Sequence, residues 1–178
     1  FGIGSDGVLF GPLPSTESDF TLRFYNPDGG EFEKSGNGLR IFARYLWDCG
    51  FVGEESFTVA TPGGRVRCRV HPGGRRVTVE MGRVSFWSTD IPAAGPEREV
   101  LNETLVIEGV PFQICAATIG NPHCVIFVDQ ATEALAREFG PLIELDARFP
   151  NRTNVQFVKV MDRSSLTIEI WERGAGYT

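Results

Sequence analysis

Residues 20–25 alternate: Phe20, Leu22 and Phe24 fall on one side of the chain, Thr21 and Arg23 on the other. Successive side chains of a strand point to opposite faces, so this stretch predicts a half-buried strand. Past a Gly-rich segment the period changes. Leu39, Phe42, Ala43 and Leu46 recur at helical spacing, which predicts a helix over residues 39–47. Ile41, Tyr45 and Trp47 widen its apolar face, so the helix is expected to be largely buried, and Cys49-Gly50 ends it. Apolar runs at 57–60, 66–70 and 77–81 follow, separated by Thr61-Pro62-Gly63-Gly64 and His71-Pro72-Gly73-Gly74. Short strands with Pro-Gly-Gly turns predict an antiparallel meander, and with the helix beside it, a sheet wrapped on a helix. Upstream, residues 1–10 read as a loop entering a short strand, and 12–18 as a polar turn.

The pattern loosens over 81–95, and 92–96 reads as surface. A boundary near Gly82 divides the chain into 1–82 and 83–178. Strand runs resume at 104–107, 112–118 and 124–128, and 132–139 reads as a short amphipathic helix. A hairpin closes the sequence, with strands 155–160 and 166–171 about a turn at 162–165. The halves rhyme. The strand at 22–25 leads into a Gly-rich loop and a buried helix, and the strand at 166–171 leads into Gly174-Ala175-Gly176. If they are repeats, the second helix has no counterpart in the sequence.

With 178 residues, 42% of them hydrophobic, there is material for one ordinary domain or two small ones. A net charge of −6 argues against nucleic acid or an anionic membrane as the main partner. No apolar run is long enough to span a bilayer. No signal peptide is visible, but the sequence begins at Phe1 rather than Met and leaves a leader open. Cys49, Cys68, Cys115 and Cys124 are scattered, which favours buried, reduced thiols and a cytoplasmic protein. Two histidines and no cluster of ligands give no expectation of a metal site.

Candidate chemistry gathers at Asn26-Pro27-Asp28-Gly29-Gly30-Glu31-Phe32-Glu33-Lys34-Ser35-Gly36-Asn37-Gly38. Two glycines flank an asparagine where the helix begins. Unpaired N–H groups and the positive end of the helix dipole favour an anion there, and glycines let it approach the backbone. A carboxylate or phosphate at Gly36 and Asn37, with the Ser35 hydroxyl at its rim, is one reading; a loop that only caps a helix is the other. Taken singly, Asn26-Pro27 and Asn121-Pro122 are ordinary turn starters, His123 a turn residue, and Glu172 beside Arg173 a solvated pair.

The order of these motifs resembles the diaminopimelate epimerase family. The long loop is similar to that family's Asn-x-Asp-Gly and Cys-Gly-Asn-Gly segment. Phe1-Gly2-Ile3-Gly4-Ser5-Asp6-Gly7 resembles its early Gly-Ile-Gly-x-Asp segment. Gly120-Asn121-Pro122-His123, Phe149-Pro150-Asn151-Arg152-Thr153-Asn154-Val155 and Trp171-Glu172-Arg173-Gly174-Ala175-Gly176 match its later motifs. The resemblance implies an α+β fold of two pseudo-symmetric domains, each an antiparallel-rich sheet around a central helix, with the site in the cleft between them. The second central helix, and the second catalytic cysteine that precedes it, would follow the Gly-Ala-Gly segment, so the C-terminal domain ends before its helix. The family's opening segment, with a substrate-binding asparagine, would precede Phe1.

The resemblance also implies roles. Asn26, Asn121 and Asn154 match asparagines that bind the distal end of diaminopimelate. Arg173 matches the arginine on the distal carboxylate, and Glu172 the carboxylate that meets the substrate amino group near the second thiol. His123 matches the histidine near the first thiol, and Gly36 and Asn37 the backbone donors to the α-carboxylate. Family members invert an amino-acid α-carbon without a cofactor: one thiolate removes the α-proton and a thiol on the opposite face returns one. The carbanion needs donors aimed at its carboxylate, each typically worth about 10²–10³ in rate. No metal, no nucleic acid and no membrane are implied, and a homodimer is a candidate assembly.

Two departures stand out. Ser35 occupies the position of the first catalytic cysteine, and Tyr177 stands where the family usually has glutamate. A thiol with a free pKa of about 8.5 is within reach of local tuning, whereas a hydroxyl needs a partner base. Three functions are therefore expected to compete: an amino-acid epimerase of lysine biosynthesis, a cofactor-independent isomerase with one working base, and a non-catalytic amino-acid-binding paralogue.

Overall fold

The computed structural model describes residues 4, 5 and 7–178, so Phe1, Gly2, Ile3 and Asp6 of the opening motif lie outside the described residues. The chain divides into two compact units, Phe1–Arg83 and Val84–Thr178.

In the first unit, β1 (Val8–Leu13), β2 (Phe20–Tyr25), β4 (Phe57–Thr61), β5 (Gly64–Val70) and β6 (Val77–Glu80) form a sheet in the order β1-β2-β4-β5-β6, and β3 (Glu31–Phe32) also pairs with β2. The β4-β5-β6 meander is antiparallel, but β2 and β4 run parallel, because the helix α1 (Gly36–Asp48) carries the chain across the sheet between them. The alternation of β2 resolves as read: Leu22 and Phe24 are fully buried and Arg23 is exposed. With Val59, Val66, Cys68 and Val70 they form one face of a core whose other side is Leu39, Phe42, Ala43 and Leu46 of α1. The helix is less buried than its composition predicts. Ile41 and Tyr45 are 62% and 48% exposed, since steps of 100° carry them off the stripe that meets the sheet. β1 runs on through Pro12 and Leu13, with a register irregularity between Phe10 and Leu13. Cys49 is exposed at the end of α1, so the thiols are not uniformly buried.

The second unit holds β7 (Glu103–Ile107), β8 (Val110–Thr118), β9 (Pro122–Phe127), α2 (Glu133–Glu144), β10 (Asn154–Val160), β11 (Leu166–Glu172) and β12 (Gly176–Tyr177), with sheet order β12-β11-β10-β9-β8-β7. Again a helix makes a parallel crossover: β9 and β10 are parallel and α2 lies between them in sequence. Ala136, Phe139 and Ile143 of α2 pack with Val155, Phe157, Leu105, Phe112 and Ile126. The helix extends a turn past the end its sequence suggests, through Gly140-Pro141 to Glu144. Tertiary packing explains this. A Cβ on Gly140 would lie 2.6 Å from Cβ and Cγ of Trp171, so only glycine lets the helix seat against that side chain. Within the described residues no helix is long and apolar enough to cross a membrane, and no group of candidate ligands is arranged to hold a metal ion.

Candidate active-site residues

In the first unit the candidate residues sit on a loop pinned at several points. The Asn26 N–H donates to the Gly30 carbonyl at 2.8 Å and the Gly29 N–H to the Asn26 carbonyl at 2.9 Å. Gly29 takes φ +85, a conformation that side chains disfavour. Arg23 holds Glu31 through two bonds of 2.6 and 2.7 Å, and the Phe32 ring lies 5.3 Å from that of Phe24. The loop ends on Ser35, which is extended and is the N-cap of α1. Its Oγ accepts the Gly38 N–H at 3.0 Å and its carbonyl the Leu39 N–H at 2.9 Å. That leaves the N–H groups of Gly36 and Asn37 at the positive end of the helix without an intrahelical acceptor.

Packing distinguishes the two glycines here. A Cβ on Gly38 would come within 2.9 Å of Leu9 and 3.0 Å of Phe24, so close approach demands glycine. A Cβ on Gly36 would meet only the Met81 sulfur and methyl, at an ordinary 3.6 and 3.8 Å, so packing does not demand glycine there. The Asn37 side chain is turned to Arg40. Lys34 is buried beside the cap, its amine donating to the Met81 carbonyl at 3.3 Å, and burial lowers its pKa.

In the second unit one face of the sheet and one turn bring the other candidates together. Pro122 is the first residue of β9, so His123 stands on a strand rather than in a turn, and Asn121 lies in the bend just before it. His123 and Asn154 are cross-strand neighbours, and the register Val155↔Trp171 with strand alternation places Glu172 on the same face. The Gln156 amide nitrogen lies 3.0 Å from Nδ1 of His123. Burial is the main cause of a lowered His123 pKa; the Arg173 charge adds to it and the Gln156 contact opposes it. The ring is therefore neutral near pH 7. Desolvation raises the Glu172 carboxyl above the ordinary glutamate value, although much of the residue is exposed.

Asn154 is buried and ties the turn to the strand. Its Oδ1 accepts the Arg173 N–H at 3.0 Å, and its Nδ2 donates to the Pro122 carbonyl at 3.0 Å. An Arg173 guanidinium nitrogen donates to the Asn151 carbonyl at 3.1 Å. The sequence reading missed two neighbours. Gln156 is a polar residue inside the apolar strand β10, and its Oε1 is buried without a hydrogen-bond partner among the described residues. Glu144, the last residue of α2, is a buried carboxylate bonded to the turn. A polar residue in an apolar run and an acid at a helix C-terminus were the available signals.

These units reproduce a known fold. A probable proline racemase from Agrobacterium radiobacter K84 superposes with a TM-score of 0.70 over 96% of this chain and 54% of that one, at 16% identity. A hydroxyproline epimerase from Agrobacterium vitis gives 0.68 over 96% and 54%, at 15% identity. The fold class is thus that of the proline racemase-like proteins, α+β with two sheet-and-helix units. The diaminopimelate epimerase profile matches residues 1–87 and 115–178, and the chain belongs to that family. It is 61% identical to diaminopimelate epimerase 2 of a Nostoc species over 178 residues, all of this chain and 62% of the relative. It is 41% identical to the diaminopimelate epimerase of Moorella thermoacetica over 181 residues, all of this chain and 64% of the relative. The chain thus spans a little under two thirds of the length of these relatives.

Proposed function

We propose that the protein is an amino-acid epimerase that works without pyridoxal phosphate or any other cofactor, on diaminopimelate, in the cytoplasmic synthesis of lysine. The observation that carries this is the 61% identity to a diaminopimelate epimerase along the whole chain. In the proposed roles Gly36 and Asn37 donate to the α-carboxylate from the head of α1, where charge developing on the carbanion is stabilised. Glu172 meets the substrate ammonium, and Arg173 offers a forked guanidinium to the distal carboxylate. Asn26, Asn121 and Asn154 complete the distal recognition. Asn154 keeps a free lone pair and a second amide hydrogen for this beyond its two bonds within the chain. His123, its pKa lowered chiefly by burial, is proposed to take the part of the histidine that serves the family's first base, which the resemblance assigns to Ser35. A homodimer is the proposed assembly.

Ser35 favours a second reading specifically. Its oxygen caps α1, and a hydroxyl has no useful base population near neutral pH without an activating partner. On that reading the native protein binds diaminopimelate but exchanges its α-proton slowly, and Ser35→Cys in the full-length protein raises the rate by at least two orders of magnitude. The test is α-proton exchange from diaminopimelate in deuterated water for both forms. Fast exchange with Ser35 in place, lost in Ser35→Ala, shows serine to be a working base. Binding without exchange in either form marks an amino-acid-binding paralogue. Absence of binding overturns the assignment.

A further inference from the structure

We propose that Glu144 is a positioning residue that sets the turn carrying Glu172 and Arg173; this rests on the substrate roles proposed for those two. Glu144 is only 4% exposed. Its Oε2 accepts the indole N–H of Trp171 at 2.7 Å, and its Oε1 accepts the Gly174 N–H at 3.1 Å. The carboxylate thus grips the residues immediately before and after the Glu172-Arg173 pair. Arg152 lies 2.9 Å from the same Oε1 and supplies the countercharge, from a backbone at φ +63. Between the two grips, the Arg173 N–H is held by Asn154, whose other amide atom reaches the Pro122 carbonyl between Asn121 and His123.

The chemistry of the cluster requires a carboxylate. Three donors converge on it: an indole N–H, a backbone N–H and a guanidinium. A glutamine has one carbonyl oxygen, so its amide hydrogens would confront at least one of those donors. Nothing about α2 itself calls for this residue. An acid at the last helical position opposes the dipole, where cations are favoured. A residue placed against its helix's preference, with two of its three donors drawn from one turn, is explained by what it does for that turn.

The experiment uses the full-length protein, with amide exchange and diaminopimelate affinity measured together. Glu144→Gln is expected to speed exchange of the Gly174 N–H and the Trp171 indole N–H by at least tenfold, to leave Val155 and Phe157 protected, and to weaken diaminopimelate at least tenfold. Glu144→Asp, which keeps two acceptor oxygens, recovers part of both losses. Unchanged exchange at Gly174 overturns the proposal. So does a loss of affinity only in step with loss of protection at Val155 and Phe157, which marks a merely structural role. If Glu144→Gln does not fold, Trp171→Phe carries the same two readings, because it removes one donor and keeps an aromatic ring on Gly140. If the unaltered protein binds no diaminopimelate, the proposed function falls, and the exchange at Gly174 alone decides whether Glu144 sets the turn.

Discussion

The motif β1-β2-β3 of the first unit and β10-β11-β12 of the second can be laid on each other up to the register irregularity that follows Phe10. Val8 pairs with Tyr25 and Phe10 with Arg23; Val155 pairs with Trp171 and Phe157 with Glu169. In both, the middle strand leads into a Gly-containing turn and a short antiparallel return strand. Yet the helices cover opposite faces. In the first unit α1 covers Leu22 and Phe24, both fully buried, and leaves Val8 and Phe10 52% and 53% exposed. In the second α2 covers Val155 and Phe157, both fully buried, and the positions equivalent to Leu22 and Phe20, namely Ile168 and Leu166, are 42% and 60% exposed. Each helix thus covers a different face of the repeated strands, although in β10 Asn154, Gln156 and Val158 on the other face are buried too. The turns are secured differently as a result. Phe32, packed at a tilt against Phe24, and a helix cap hold the first, whereas the carboxylate of Glu144 holds the second from the opposite side.

The largest effects should fall where that exchange of faces is sharpest. Leu22→Ala and Phe157→Ala each remove a fully buried side chain and should cost about 2–5 kcal/mol. Their counterparts Ile168→Ala and Phe10→Ala should cost under about 1 kcal/mol. Denaturant midpoints for the four variants of the 178-residue chain decide the matter, and similar losses within either pair would break the comparison.

Next come the two glycines that let helices approach strands. Gly140→Ala sets a Cβ 2.6 Å from Cβ and Cγ of Trp171, atoms close to the backbone that cannot move aside, and should cost about 3 kcal/mol. Gly38→Ala meets the tip of Leu9 and the rim of Phe24 at 2.9 and 3.0 Å. Those side chains can yield, and alanine is the better helix former by about 1 kcal/mol, so the net loss should be about 1 kcal/mol or less. Thermal unfolding of both variants measures the difference. An equal loss at both positions would show that the helix seats are alike after all.

These contrasts also locate what the sequence made legible. The alternation of β2, the helical spacing of Leu39 to Leu46 and the Pro-Gly-Gly turns depend on local period, and each element formed where its period placed it. The parallel pairings β2·β4 and β9·β10 were not legible, because a parallel neighbour is set by a crossover and leaves no local mark. The last turn of α2 was hidden because Gly140-Pro141 reads as a stop until Trp171 is known to lie against it. The exposure of Ile41 and Tyr45 was misread because apolar content does not by itself orient a helix. At the site, a helix start beside the Gly-Asn-Gly segment was legible, whereas the capping role of Ser35 and the reach of Glu144 to Gly174 needed the fold.

Each helix is capped by a hydroxyl, which gives a smaller contrast. Ser35 Oγ accepts the Gly38 N–H at 3.0 Å, and Thr132 Oγ1 accepts the Leu135 N–H at 3.3 Å. Ser35→Ala should cost about 1 kcal/mol, and Ser35→Gly only a few tenths. The longer bond at Thr132 should make Thr132→Ala the milder alanine change. If Ser35→Ala is neutral in thermal unfolding, the hydroxyl is not acting as a cap.

The two histidines, one in each unit, give the subtlest contrast. Burial is the leading cause of a lowered pKa at both. At His71 the charges of Arg76 and Arg69 add to it on an exposed hairpin, while at His123 the Arg173 charge acts within a part-buried site. A lowered folded pKa means that the unfolded chain binds more protons, so stability falls as the pH drops through the unfolded value of about 6.5 and levels off below the folded one. His71→Gln and His123→Gln should each remove part of that slope, and the double variant should be flatter still between pH 7 and 5. Salt separates them. Exposed charges are screened within about 10 Å at 0.1 M ionic strength, so raising the salt should shrink the part that Arg76 and Arg69 add at exposed His71 more than the part that Arg173 adds at part-buried His123, and leave the desolvation part at both. Urea midpoints against pH at two salt concentrations test this. A His123 contribution that salt abolishes would mean that Arg173, rather than burial, governs that ring.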